Sequence, residues 1–302
     1  MATVPVRSGA WDDSVAPKKV GRRFWLKTTA ALTVGGLGGW WMFGGEPVAE
    51  TGAMLGSVTQ TGEVKTKSEG VDAVALCRKL LEEARIKLLP VQSATAEFHK
   101  QERIDGKLQP LNVMNVKVRR TPLAIYMKWQ TPEAGQQIIW RDNTDDGKIL
   151  VSPVGWKKKL VPLVKIAPDD DMAKAVSRRP VTNIGIWNFN DRITALLNEE
   201  LVRDPAVTVR VNEGREISGR ACYEFSFEHP TPSKIVQFKQ VQIFIDKVLG
   251  VPVACEHYRW DEDPTKGAHL EESYLYKDLV LDVALNDADF DPKNPGLSFG
   301  VK

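Results

Sequence analysis

The sequence predicts an α+β domain built on a curled antiparallel β-sheet, with helices over its concave face. Three observations carry this. Apolar and polar residues alternate in two long blocks, helical spacing appears before the first block and again between the two, and no strand–helix–strand rhythm of a parallel sheet interrupts them.

The first element is a helix. Val74, Cys77, Leu81, Ala84 and Leu88 recur at three- and four-residue steps along one face, running to about Leu89, where Pro90 stops the pattern. Cys77 then points into the core, where a thiol behaves as a small hydrophobe rather than a reactive group. From Ala94 the period becomes two: Ala96 and Phe98, then Met114, Val116 and Val118, then Leu123, Ile125, Met127 and Trp129. Turn-forming stretches at Asp105-Gly106, Thr121-Pro122, Pro132 to Gly135 and Asp145-Asp146-Gly147 divide these strands into a meander.

After Pro168, Asp169, Asp170 and Asp171 suit the positive N-terminus of a short helix over 172–176. A second helix follows, capped by Asn190 or Asp191, with Ile193, Leu196, Leu197 and Leu201 as its apolar face. Strands return at 207–211, 220–228, 238–246, 251–260 and 270–281. About ten strands are too many for a flat open sheet, so strong curling or partial closure is expected. In that order Cys222 and Cys255 are separated by one strand, about 9.6 Å apart. This exceeds the roughly 7 Å over which cysteines bridge, so no disulfide is expected between them.

The N-terminal region reads as an address. A polar leader precedes Gly21-Arg22-Arg23-Phe24-Trp25-Leu26-Lys27, and no charged residue occurs between Lys27 and Glu46. Arg22 and Arg23, with Leu26-Lys27, resemble a twin-arginine export motif. Gly35, Gly36, Gly38, Gly39, Gly44 and Gly45 weaken a helix there, which favours a signal over a permanent span. The uncharged stretch nevertheless just reaches bilayer length, so an uncleaved anchor is the alternative. The expected division is 1–45 signal or anchor, 46–70 flexible linker and 71–302 folded domain, placed in the periplasm or on the outer face of the inner membrane.

Composition and motifs narrow the chemistry. Charged residues make up 26% and the formal net charge is only +2, which argues against a nucleic-acid partner. His99, His229, His257 and His269 lack the helical spacing of a metal pair; His257 and His269, facing across a hairpin, read as polar surface. Asp142 to Gly147 imitates the start of a calcium loop, but Pro153 stands where a bidentate carboxylate is required, so it reads as a hairpin turn. Asp287, Asp289 and Asp291 read as a solvated terminal loop. No nucleophile elbow, phosphate loop or dinucleotide fingerprint is present, so neither a catalytic residue nor a cofactor nor a metal is expected. Lys157, Lys158 and Lys159 beside Trp156 read as a solvated strand edge, with contact to anionic headgroups as the alternative.

Several stretches carry a family resemblance. Ala94 to Glu102 looks like an opening strand, Arg120-Thr121-Pro122 through Lys128-Trp129 and Pro132 follows an Arg-Pro, Arg-Trp, Pro pattern, and Ile138-Ile139-Trp140 with Asp146 to Val151 looks like the next hairpin. These resemble the LolA and LolB periplasmic lipoprotein-carrier superfamily. An uncharacterised bacterial family near it is resembled over nearly the whole exported part, through Gly135-Gln136-Gln137, Pro252-Val253, Tyr258-Arg259-Trp260, Glu271 to Tyr274 and Asp289 to Pro295. The resemblance implies an open half-barrel whose helices close a hydrophobic cavity for acyl chains. It places Phe98, Ile125, Met127, Trp129, Trp140, Tyr223, Phe225 and Tyr258 on the cavity wall. The implied partners are a lipid or acylated protein and the membrane surface, with the chain acting as a monomer. Lys128 stands where the carriers have arginine and cannot reproduce its fork of hydrogen bonds, which separates holding a lipid from transferring lipoproteins. The competing reading is a membrane-anchored structural envelope protein with a solid core.

Overall fold

A computed structural model of the chain describes residues 71–299. The export motif at Arg22 and Arg23, the signal and the linker lie outside the described residues. Helix α1 (Val71–Leu88) is followed by β1 (Ser93–Ile104), the two-residue β2 (Lys107–Leu108), β3 (Asn112–Arg119), β4 (Ala124–Thr131), β5 (Gln137–Arg141) and β6 (Ile149–Ser152). Helix α2 (Gly155–Leu160), β7 (Val164–Ile166), the one-turn α3 (Asp171–Lys174) and α4 (Ile186–Leu196) come next. A single π-helical turn (Leu197–Leu201) leads into β8 (Thr208–Ile217), β9 (Arg220–Glu228), β10 (Gln240–Asp246), β11 (Pro252–Trp260) and β12 (Ala268–Leu281).

All strands join one antiparallel sheet in the order β7-β6-β5-β4-β3-β1-β12-β11-β10-β9-β8, with β2 paired to β1. The sheet holds twelve strands where the alternation showed about ten; β2 and β7 are too short to display a period. It curls without closing, an open half-barrel, because β7 and β8 are edges that do not pair with each other. The order is two meanders joined at a β1–β12 seam. The chain leaves β7 at one edge and must reach β8 at the other, ten strand spacings or about 48 Å along the sheet. Residues 167–207 make that passage over the concave face.

Helix α1 buries Cys77, Leu81, Ala84 and Leu88 against the sheet, and Asn190 Nδ2 of α4 donates to the Leu81 carbonyl, 3.3 Å. Its last turn is closed by Arg120, whose Nη1 donates to the Leu88, Leu89 and Val91 carbonyls at 2.8, 3.2 and 3.3 Å, groups a helix end otherwise leaves unpaired. Cys222 lies on β9 and Cys255 on β11 with β10 between them, and all three cysteines are buried free thiols.

Four local expectations are corrected. Helix α4 starts at Ile186 after Gly185, so Asn190 and Asp191 sit inside it rather than capping it; Asn190 is buried because its amide meets α1. Residues 155–160 are a helix, not a strand edge, and Lys157 Nζ pairs with Glu133 Oε1 at 3.1 Å. His257 pairs across the hairpin with Glu272, not His269, and is buried. The terminal segment is not a solvated loop: Phe290, Leu297 and Phe299 pack on Ala124, Tyr126, Ile139 and Leu150 of the convex face, while Asp289 and Asp287 take Lys117 and Arg119, each at 2.7 Å. That face is apolar because β5 and β6 are continuous hydrophobic runs, which bury both sides of a sheet.

Candidate functional site: a cavity under the crossing segment

Alternation sends every second residue of β1 and β3–β7 inward. Phe98, Met114, Met127, Trp129, Ile138 and Ile149 form the floor of a cavity of about 400 Å³. Ala175, Val176, Val181, Ile184 and Phe189 of the crossing segment face them from above. Between β7 and α4 that segment has only a one-turn helix and a 3-10 turn (Val181–Asn183), and several of the side chains it turns to the cavity are small: Ala173, Ala175, Val176 and Val181. One wall is aromatic: the Phe98 and Tyr276 rings lie 4.7 Å apart and the Tyr276 and Phe189 rings 5.2 Å. Trp129 is held in place by its Nε1, which donates to Asn112 Oδ1 at 2.8 Å.

The end of the cavity toward β12 is charged, lined by Lys100, Glu102, Arg179, Arg192 and Tyr274. Behind it lies a buried network. Glu272, 0% exposed, accepts from His257 Nδ1 at 2.7 Å, Arg178 Nε at 3.1 Å and Arg179 Nη2 at 3.4 Å, and the Tyr274 Oη lies 3.2 Å from it. Glu102 accepts from Lys100 Nζ at 3.0 Å, from the Arg178 backbone N–H at 3.1 Å and from the Tyr274 hydroxyl. Glu271 is held by Arg178.

Burial alone would raise the Glu272 carboxyl, but the surrounding Arg179, His257 and Arg192 charges hold it well below the usual carboxylate range. Burial likewise opposes a charged His257, and the adjoining Cys255 and Glu272 outweigh it, pushing its pKa up to about 9. That shift favours the charged form of His257 at neutral pH. Cys255 is fully buried and does not line the cavity. Among the described residues no cluster of three or more histidine, cysteine or carboxylate side chains forms a metal site. The arrangement offers an apolar floor with one cationic, hydrogen-bonding end.

The family model described as "Protein of unknown function (DUF1571)" matches residues 91–299, which span the whole sheet and the terminal segment. The chain belongs to the DUF1571 family. No curated protein matches its sequence. Among solved structures, the DUF1571 domain is similar to the Mycobacterium tuberculosis lipoprotein LppX, at 11% identity over 74% of this chain and 100% of that one, TM-score 0.41. It is similar to MucB, at 14% identity over 74% of this chain and 63% of that one, TM-score 0.39. A LolA superfamily protein from Nitrosomonas europaea, NE2245, aligns at 14% identity over 71% and 96%, TM-score 0.31.

Of the wall residues named from the sequence, Phe98, Met127 and Trp129 of the DUF1571 domain line the cavity. Ile125 and Trp140 are buried in the same core below it, and Trp140 Nε1 donates to the Gly147 carbonyl at 3.1 Å. Phe225, Tyr223 and Tyr258 lie on β9 and β11, in the half of the sheet the cavity does not reach. Phe225 is fully buried, Tyr223 packs against the core, and Tyr258 Oη donates to Glu256 Oε2 at 2.7 Å. Sequence reasoning missed Tyr274, Tyr276, Phe189 and Arg192. The period-two face of β12 carries a signal for the first two; Phe189 precedes the expected start of α4, and Arg192 lies inside it but off the apolar face of Ile193, Leu196, Leu197 and Leu201.

Proposed function

We propose that this DUF1571 protein is an envelope protein that binds a lipid or acyl chain in the cavity between β1, β3–β7 and the crossing segment. The observation that carries the reading is a hollow of about 400 Å³, apolar over most of its wall, inside an otherwise packed core. Its size falls within the roughly 300–1,000 Å³ of small-molecule sites, which are mostly apolar with a few placed polar groups. The energetics suffice: at about 0.8 kcal/mol per buried CH₂, a sixteen-carbon chain gains near 12 kcal/mol before ordering costs.

Helix α2 supports a membrane surface as the source or destination of that lipid. It exposes Trp156 (57%) and Leu160 (65%) beside Lys158 and Lys159, a pairing of apolar and basic groups suited to an anionic lipid interface. Its Lys157 is tied to Glu133 in the β4–β5 turn, and Pro132 of that turn lines the cavity. The leader with Arg22 and Arg23 would deliver the domain to that surface.

Full-length protein purified gently is expected to yield bound lipid by native mass spectrometry and extraction, and to bind N-phenyl-1-naphthylamine. Ala175→Trp, which fills the cavity from above, is expected to weaken the probe at least tenfold while the melting temperature holds. Empty protein that also ignores the probe would sink the reading.

A further inference from the structure

Every carboxylate of the buried network is held by donors, yet one cation beside it, whose charge acts on Glu272, donates to none of them. Arg192 projects from α4 into the charged end of the cavity. Its guanidinium is held between two rings, 5.3 Å from Phe189 and 4.7 Å from Tyr274, and its remaining contact is Nη2 to Cys255 Sγ at 4.0 Å. Among the described residues no carboxylate lies within ion-pair distance of it. Glu102 on the same wall is taken by Lys100, Tyr274 and Arg178. Asp191, the other carboxylate at the cavity, is solvent-exposed and interacts with Arg120 and Arg85.

A guanidinium withdrawn from water with no carboxylate at ion-pair distance is costly, even with the Glu272 charge behind it. Here the aromatic faces offset part of that cost and orient the group, leaving the Nε and Nη1 hydrogens for whatever occupies the cavity. Arginine suits this role because its planar fork matches a carboxylate with two parallel hydrogen bonds. The floor leading away from Arg192, through Met114, Met127 and Ile138, is apolar.

We propose that Arg192 receives the carboxylate head of a long-chain fatty acid, whose chain lies along the Met114, Met127 and Ile138 floor. This rests on the lipid-binding reading above and adds to it the ligand class, an anionic single-chain amphiphile, and the direction in which it lies. Selectivity then comes from the head: an uncharged chain of equal length leaves the guanidinium unpaired.

The test is displacement of N-phenyl-1-naphthylamine from the full chain at pH 8 by palmitate, hexadecanol or acetate. Palmitate is expected to displace the probe at a concentration at least about tenfold below hexadecanol, the weight of one charge-assisted hydrogen bond. Arg192→Met should remove that advantage by weakening palmitate about tenfold while leaving hexadecanol unchanged, which also shows that the variant is folded. Arg192→Lys should fall between, keeping the charge but losing the fork. Equal potency of palmitate and hexadecanol on the unmodified protein overturns the head-group assignment and leaves the lipid reading standing, as does an Arg192→Met effect equal for both. Acetate as potent as palmitate overturns it in favour of a small-anion site. If the probe binds and neither long-chain compound displaces it, both readings fall.

Discussion

Replacing Glu272 with glutamine tests whether the buried network is a structural clasp. The substitution keeps the shape and one acceptor oxygen but removes the charge that faces His257, Arg178 and Arg179. Breaking a buried ion pair by neutralising one partner costs about 3–5 kcal/mol, and the retained oxygen places Glu272→Gln near the lower end. For a domain of this size, about 3 kcal/mol lowers the melting temperature by roughly 6–12 °C. The pH dependence gives an independent sign. His257 has a folded pKa raised from 6.5 to about 9, so its contribution is fully present below pH 6.5 and is lost as pH rises to about 9. Unmodified protein should therefore lose stability across that window. Glu272→Gln removes part of what raises the His257 pKa, so the loss of stability over the same range should be shallower than in the unmodified protein. Thermal unfolding followed by circular dichroism from pH 6 to 9 measures both. A drop under about 1 kcal/mol, or an unchanged slope in the variant, would refute the clasp.

Two further outcomes follow from the geometry. Arg120→Ala strips the final carbonyls of α1 of their charged donor and should cost about 1.5–3 kcal/mol in urea unfolding; a loss below about 0.5 kcal/mol would mean that water replaces the arginine. Cys77, Cys222 and Cys255 are all buried, and burial pushes the Cys77 and Cys222 thiols up to about 12. The native protein should leave Ellman's reagent unreacted at pH 8 and release all three thiols in denaturant, so a fast-reacting native thiol would contradict the packing.

The repetitive elements were legible because period alone specifies them. The steps from Val74 to Leu88 gave α1, and the alternation Met114-Val116-Val118 and Ile125-Met127-Trp129 gave both the strands and their inward faces. Less legible was whatever depends on a second surface. Tyr126, Ile139 and Leu150 point away from the cavity, and their burial under Phe290 and Phe299 turns an alternating face into a two-sided one that a single strand's period does not disclose. His257 and Glu272 look like ordinary polar strand residues until register sets them opposite each other. Aromatic content marks the whole sheet as cavity wall, whereas topology decides which half stays hollow. Tyr223, Phe225 and Tyr258 belong to the half near α1 and α4, which contact β8 and β11.

Why the other half does not collapse follows from how the crossing segment is held. An apolar floor beneath an apolar cover should close, since each buried contact forgone is a loss. The segment cannot descend because strand-borne polar side chains grip it at a fixed height. Lys100 Nζ donates to the Val176 carbonyl at 3.2 Å and to Ser177 Oγ at 3.0 Å, and Glu102 takes the Arg178 backbone N–H. Glu271 and Glu272 hold the Arg178 side chain, and Tyr276 Oη accepts the Gly185 N–H at 3.3 Å. All five rise from β1 and β12, the seam of the sheet. Lowering the cover would leave these groups buried without partners, and each orphaned donor or acceptor costs about 1–3 kcal/mol. Several such penalties together oppose the gain from closing an empty space over Met127 and Ile138, so the network that looks like a stability device also works to keep the hollow open.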